Sequence, residues 1–516
     1  MQQFKILWAD DEIELLKPHI LFLEQKGYQL TPVNSGADAL EEIDHNYFDI
    51  VFLDENMPGM SGLETLNYIK STHPNIPVVM ITKNEAEEIM EEAIGAKIAD
   101  YLIKPLNPNQ ILLSVKKILD NKRIISEKTN LGYQKDFQQL AMGVMDAQDH
   151  NDWIDIYRKL SYWELELDET QDKSMVDVLN AQKVEADGNF SSFVTTNYED
   201  WITNPDIERP LLSHNLLKHK VFPEVGDEPI FLIVIDNLRY DQWKMIEPEV
   251  AELFSIESED MYFSILPTTT SYARNALFAG LTPLEISRRY PDLWVGEEEE
   301  EGKNMKEREL LEANLARNQV KERFSYHKIL RADEGKHLSE NIPNLMNNKL
   351  NAIVFNFVDM LSHARTDMQM IRELAPDESA YRSLTKSWFT HSSLYDTLKE
   401  LANKKVKVMI TTDHGTIRVN KAQKIVGDRN TNTNLRYKVG RNLAFDEKSL
   451  FFTRNPEKLG LPKEHVSSSY VFTMDDHFFA YPNNFNHYVR MYKDTFQHGG
   501  ISMEEIMIPF ITLANK

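Results

Sequence analysis

The sequence predicts a multidomain α/β chain: a doubly wound parallel sheet first, a helical bundle second and a larger α/β domain last. Two observations carry this expectation. Short β-branched runs alternate with longer helical patterns at both ends of the chain, the rhythm of strands joined by helical crossovers. Between residues 106 and 205 the strand signals vanish and only helical periodicity remains. The length, 516 residues, suits three or four domains at roughly 100–200 residues each.

From Phe4 to about Lys122 the runs FKILWADD, DIVFLDENMPG, IPVVMIT and ADYLIKPL are each followed by a helical pattern. Ile111, Leu112, Val115, Ile118 and Leu119 then recur at helical spacing, and DFQQLAMGVMDAQ, WIDIYRKLSYWELEL and SMVDVLNAQKV read as further helices. Breaks are expected at Gly132 and at residues 150–152, 168–173 and 187–189, with Trp153, Trp163 and Trp201 partly buried in a small bundle. Strands return in PIFLIVID, KLNAIVFNFVD and KKVKVMITTD, separated by long helical and loop sequence. The expected domains are therefore 1–122, 123–205 and 206–516. The acidic run GEEEEEGK, residues 296–303, reads as a solvated loop.

Composition narrows the chemistry. With no cysteine, disulfides, thiolate nucleophiles and Cys-based zinc or iron–sulfur sites are excluded. Fifty-seven Lys and Arg against 81 Asp and Glu give a net charge of −24, which disfavours gripping long DNA through its phosphates. MQQFKILWADDE lacks a basic segment followed by an apolar run, and no stretch reaches about 18 apolar residues, so a cytoplasmic protein without membrane insertion is expected.

In an open parallel sheet, ligands sit outside the carboxyl ends of the strands. The N-terminal runs end in Asp10 and Asp11, in Asp54, in Thr82 and in Lys104, so these residues are expected to converge. Clustered carboxylates repel unless a divalent cation binds among them, and hard oxygen ligands suit Mg²⁺. Lys104 would pair with a phosphate on Asp54, and the Thr82 hydroxyl would hydrogen-bond to it. The plainer alternative is that each residue caps a helix or turn.

DDE, LDENMPGMSG, the Thr of ITKN and YLIKP resemble, in order and spacing, the receiver domain of response regulators. The resemblance implies a (βα)5 fold, with Asp54 as phosphoacceptor, Asp10, Asp11, Asp54 and the Asn56 carbonyl as Mg²⁺ ligands, and Thr82 with Tyr101 as the switch pair beside Lys104. Lys83 departs from the small residue usual after the Thr.

The last domain repeats the strand-end logic with different ligands. Asp236 ends PIFLIVID, Asp359 ends AIVFNFVD with His363 four residues on, Asp413 and His414 end KVMITTD, and His498 lies in QHGGIS. Mixed carboxylate and imidazole donors suit Zn²⁺ or Mn²⁺, and six of them exceed one tetrahedral ion. Two metals about 3.5–4 Å apart would hold both oxygens of a phosphoryl displacement. A nucleophile is available in PTTTS, where a Thr precedes the helix-like YARNALFAG; N-capping is the plainer reading of any one hydroxyl. Arg429, Arg436, Lys438 and Arg441 cluster in residues 424–441, either as a solvated insertion or as a clamp for further substrate phosphates.

TTDHG, the D-x-x-x-H of VDMLSH and HGGISMEEIMIP resemble the PglZ branch of the alkaline-phosphatase superfamily. The resemblance implies one zinc on Asp359, His363 and His498 and another on Asp236, Asp413, His414 and the nucleophile. Aligning PTTTSYARNALFAG puts that nucleophile at Thr270, with Thr269 as the alternative. Arg274 is then either a phosphate ligand or a structural salt bridge. A receiver joined by a helical-bundle linker to a PglZ domain resembles the PorX-type response regulators. That implies a sensor histidine kinase partner, homodimerisation on phosphorylation, a dizinc phosphodiesterase output on short linear or cyclic oligonucleotides, and a link to type IX secretion and gliding. The alternative function is a non-catalytic, phosphorylation-controlled scaffold for a transcription or secretion component.

Overall fold

A computed structural model describes residues 4–73, 76–83, 98–168, 170, 173–297, 299, 302–428, 431–463 and 465–516. The chain forms two compact units, 1–132 and 133–516.

The first unit is built on five parallel strands, β1 (Lys5–Ala9), β2 (Gln29–Val33), β3 (Ile50–Asp54), β4 (Val78–Thr82) and β5 (Asp100–Ile103), in the order β2-β1-β3-β4-β5. That order reverses direction between β1 and β3, which opens a crevice at their carboxyl ends. β3 and β4 are buried throughout and β1 beyond Lys5, which is why they read as unbroken apolar runs. β2, QLTPV, escaped the sequence reading because it is a half-exposed edge, where Pro32 is tolerated and little apolar burial is required. Helices Lys17–Gln25, Gly36–His45 and Gly62–Thr72 follow the first three strands. The helix expected after IPVVMIT falls on residues 84–97, outside the described ones.

Two expected helix breaks are absent. Helix Pro108–Asp146 continues through Gly132, and helix Lys173–Thr203 continues through residues 187–189. A single glycine costs a helix only about 1 kcal/mol, and Asp187 is held in place by accepting the Met503 N–H at 2.8 Å. The breaks near residues 150–152 and 168–173 do occur, flanking helix His150–Asp168.

In the second unit a six-stranded sheet joins β6 (Ile230–Ile235), β7 (Phe254–Phe263), β8 (Phe324–Ile329), β9 (Leu350–Phe355), β10 (Lys407–Thr411) and the C-terminal strand Met507–Asn515. β10, β6, β9 and β8 run parallel in that order; the C-terminal strand lies antiparallel to both β10 and β7. The helices after Gly132 pack against this sheet. Trp153, Trp163 and Trp201 are fully buried rather than partly so, in one core with Phe231, Ile233 and Phe263.

Buried ions stitch the same helices to the sheet domain. Arg382 Nη1 lies 2.7 Å from Glu164 and 3.0 Å from Asp241, and its Nη2 pairs with Asp168. Arg239 pairs with Asp241 and with Glu378 at 2.7 Å, while Lys183 bridges Glu164 at 2.6 Å and Glu504 at 3.3 Å. Every one of these charges has a partner, as burial requires.

Candidate metal centres

In the first unit, Asp10 follows β1, Asp54 ends β3, Thr82 ends β4 and Lys104 follows β5. Carboxylate oxygens of Asp10, Asp11 and Asp54 lie within 4.8 Å of one another. Lys104 Nζ sits 2.8 Å from Asp10 Oδ2 and 2.6 Å from Asp54 Oδ1. Burial raises the Asp10 pKa, although the Lys104 hydrogen bond opposes it. Burial likewise disfavours the Lys104 ammonium, but its bonds to Asp10 and Asp54 outweigh that and its pKa is raised. The Asn56 N–H donates to Asp54 Oδ2 at 3.1 Å, which orients the carboxylate.

The remaining receiver residues are placed less directly. The Thr82 hydroxyl donates to Glu55, a buried carboxylate that the sequence reading missed although it adjoins Asp54. Tyr101 is half-buried on β5 opposite Met80. Lys83 forms an exposed ion pair with Glu12 at 3.0 Å.

In the second unit the candidate ligands form two triads, and Asp359 does not end a strand as expected but lies with His363 on the helix Phe357–Asp367, one turn apart, after β9 has stopped at Phe355. Asp236, Asp413 and His414 are buried together; Asp359, His363 and His498 form the other set, with ligand atoms in each set within 4.8 Å of one another. His363 is 62 % exposed, so the second triad opens to solvent while the first does not. His414 and His498 stack with centroids 4.4 Å apart. Each ties its Nδ1 to a backbone carbonyl, His414 to Gly415 at 3.1 Å and His498 to Thr268 at 3.3 Å. With Nδ1–H donating there, Nε2 is left as the ligand atom facing the carboxylates.

Close backbone approach shapes both loops. A Cβ on Gly415 would lie 1.9 Å from the Glu504 carbonyl oxygen, and Gly499 has φ 119°, a conformation that favours glycine. Glu505 fixes the second loop by accepting from Gly500 N–H at 2.8 Å, Ser502 Oγ at 2.7 Å and Arg436 Nη2 at 2.5 Å.

Thr270 opens a single turn of π-helix, Thr270–Arg274, a local widening common at functional sites. Its Oγ1 lies 3.3 Å from Asp236 Oδ1 and 3.2 Å from His414 Nε2. Thr269 Oγ1 instead meets Ser271 Oγ at 3.3 Å, and Thr268 Oγ1 donates to the Gly500 carbonyl at 3.0 Å. Of the three hydroxyls, Thr270 is the one these contacts bring to the buried triad.

The electrostatics fit cations. Asp413 Oδ2 is buried with no hydrogen-bond partner among the described residues, and burial, with Asp236 adding to it, pushes that carboxyl up to about 6. Burial also raises Asp359. Burial works against the Asp236 carboxylate too, but Arg274 and His414 hold its pKa down. Burial opposes the His414 imidazolium, yet the surrounding carboxylates raise its pKa; His498 is pushed far down by burial and by His414 and His363. A buried carboxylate oxygen without a hydrogen bond among the described residues, and the His498 imidazole held neutral, are what a divalent ion would complete.

Two expectations change here. Arg274 is wholly buried, with Nη1 2.6 Å from Asp236 Oδ2 and Nε 2.6 Å from Glu307, so its contacts support the salt-bridge reading over a phosphate ligand. The basic cluster is neither solvated nor poised as a clamp at Arg436 and Lys438, both of which are buried. Arg436 braces Glu505, and Lys438 Nζ donates to the Asn432 carbonyl at 2.7 Å over the Tyr481 ring. Arg441 sits beside His465, and Arg429 lies outside the described residues. Within the acidic loop, Glu297 is 6 % exposed and bound by Lys303 and the Tyr437 hydroxyl rather than solvated.

Comparison with known proteins agrees with this layout. Residues 216–513, more than half of the chain, match the BREX system PglZ alkaline phosphatase-like domain; residues 123–202 match the PorX response regulator linker domain; residues 6–116 match the response regulator receiver domain. The transcriptional regulatory protein ZraR of Klebsiella oxytoca is 35 % identical over 123 residues, 24 % of this chain and 28 % of that protein. A CpxR homolog of Haemophilus influenzae is 33 % identical over 129 residues, 25 % of this chain and 54 % of that protein. The chain thus spans only a quarter to a half of the length of these curated relatives. A CheY-like receiver structure from Methanospirillum hungatei covers 23 % of this chain and 96 % of its own, at 27 % identity and a TM-score of 0.23. No helix among the described residues is long and apolar enough to cross a membrane. With its receiver and linker placed ahead of the catalytic-type domain, the chain belongs to the PglZ alkaline-phosphatase-like family, in the arrangement of a PorX-type response regulator.

Proposed function

We propose that the second unit is a dizinc phosphodiesterase acting on short linear or cyclic oligonucleotides, controlled by phosphorylation of Asp54 and linked to type IX secretion and gliding. The observation that carries the enzymatic reading is Thr270 Oγ1, set 3.3 Å from Asp236 Oδ1 and 3.2 Å from His414 Nε2 beside a second triad open to solvent. Asp236, Asp413 and His414, with Thr270, would hold one zinc; Asp359, His363 and His498 would hold the other. When bound, such cations supply Lewis acidity that lowers the pKa of a nearby hydroxyl and offsets charge on phosphoryl oxygens.

Thr270 Oγ, having lost its proton, attacks phosphorus, and the bond to the leaving nucleoside oxygen breaks. Water then hydrolyses the phosphothreonine, which restores Thr270 and releases the phosphate product. Asp236 and His414 orient the hydroxyl, and Arg274 from behind keeps Asp236 ionised. In the first unit Asp10, Asp11, Asp54 and the Asn56 carbonyl would hold Mg²⁺ while a sensor histidine kinase or another phosphodonor loads Asp54. Lys104 would then leave its carboxylate partners for the phosphate, and Thr82 and Tyr101 would reorganise the face that dimerises.

Purified, zinc-loaded protein should cleave at least one of a linear dinucleotide, a cyclic dinucleotide or a chromogenic diester, and Thr270→Val should lose at least about 10³-fold of that rate. Wild type no more active than Thr270→Val on all three would leave the scaffold reading in its place.

A further inference from the structure

Asn237 follows Asp236 directly, is wholly buried and has φ 66°. The left-handed region costs a non-glycine residue on the order of 1 kcal/mol, less for asparagine than for most, so its surroundings must hold it there. They do so by spanning both triads. Its Nδ2 donates to Asp359 Oδ1 at 3.3 Å and to Ser362 Oγ at 3.2 Å, and its backbone N–H donates to Asp413 Oδ1 at 3.5 Å. Asp359 belongs to the solvent-facing triad and Asp413 to the buried one. The next residue continues the stitch: Leu238 N–H donates to Thr412 Oγ1 at 3.0 Å, and that hydroxyl donates to the His414 carbonyl at 2.9 Å. Asn237 Oδ1 is buried with no hydrogen-bond partner among the described residues.

We infer that Asn237 is a positioning residue that couples the two metal sites and chiefly sets the affinity of the solvent-facing one. The inference rests on reading these triads as metal centres. Its physical basis is the unequal support of the two sets. The buried triad is held by Arg274 on Asp236, by the Gly415 carbonyl on His414 and by packing on every side. Asp359 Oδ1, by contrast, faces His363 Nε2 at 3.6 Å and His498 Nε2 at 3.5 Å, and Asn237 supplies the side-chain amide that pins this oxygen between them. Removing the amide frees the Asp359 rotamer, and partners of this kind typically carry 10–100-fold of metal affinity.

Zinc titration of the metal-free, full-length chain against a chromogenic chelator tests this without reference to turnover. Asn237→Gly keeps the turn, since glycine takes this φ freely, and a cooperative melt of the metal-free variant verifies that it folds. It should nevertheless bind one of two zinc ions roughly tenfold or more weakly, with the other unchanged. Ser362→Ala, which removes the second anchor of the same amide, should weaken the same ion by less. Wild-type affinity for both ions in Asn237→Gly would overturn the inference and leave the metal-centre reading standing. A wild type that binds no zinc would remove that reading, and this inference with it.

Discussion

The receiver pocket and the PglZ pocket solve one electrostatic problem in different ways. Each gathers carboxylates at the carboxyl ends of parallel strands, where burial penalises their charge. The receiver places one ammonium, Lys104, between Asp10 and Asp54, on a flexible-stemmed side chain that keeps 13 % of its surface in solvent. The PglZ pocket puts its cation behind the ligands: Arg274 is locked between Asp236 and Glu307, and the open side of the pocket carries imidazoles instead. A movable lysine suits a charge that comes and goes on Asp54. A fixed arginine with imidazole donors on the facing side suits cations that stay.

Breaking the fixed partner should have the largest effect. Arg274→Met leaves Asp236 buried without its arginine and Glu307 with Lys328 alone, a loss of about 3–5 kcal/mol, read by urea denaturation of the metal-free chain, with zinc recovering part of it. A midpoint equal to wild type would refute the account of Arg274 as the resident neutraliser. The movable partner should matter less for stability and more for switching. Lys104→Met should cost about 1–3 kcal/mol, since its pocket reaches solvent and Mg²⁺ replaces the lost charge. Acetyl phosphate should raise the dimer fraction of wild type, measured by light scattering, but not that of Asp54→Ala or Lys104→Met; an equal rise in Asp54→Ala would refute phospho-switching.

Two buried lysines sharpen the comparison at smaller scale. Lys104, with two carboxylates, has a raised pKa, so its contribution to stability is present throughout the neutral range and is lost only as pH rises through that raised value. Lys438 lacks a carboxylate partner among the ion pairs of the described residues, and burial pushes it down to about 7. Between pH 7 and about 10.5 the unfolded chain therefore binds more protons at this residue, and its contribution favours folding increasingly as pH rises. Lys438→Met should stabilise the chain at pH 6 by thermal melting, and the gain should shrink towards pH 10. A gain independent of pH would contradict the burial of an ammonium there.

Much of this was legible in the sequence because strands buried on both faces cannot hide: the runs before Asp10, Asp54, Thr82, Asp236, Asp359 and Asp413 announce both the sheets and the strand ends. Elements with weaker demands did not announce themselves. β2 is an edge carrying Pro32, and β7 begins FSIESED because much of it is only half-buried. Charged residues were misread for another reason. Arg436 and Lys438 look like a solvated basic patch until Glu505, 69 residues from Arg436, supplies a buried partner that no local pattern reveals. Asn237 carried no signal as an amide, and its role lies in a left-handed turn and in contacts more than 100 residues away.

The central claim is that the two triads are a pair of permanent cation sites. Metal content of the purified full-length chain, by mass spectrometry, tests it most directly. The account predicts about two zinc ions per chain in wild type and about one in His498→Ala, whose loss spares the buried triad. A wild-type chain holding no zinc after zinc loading, or a His498→Ala chain holding as much as wild type, would contradict it.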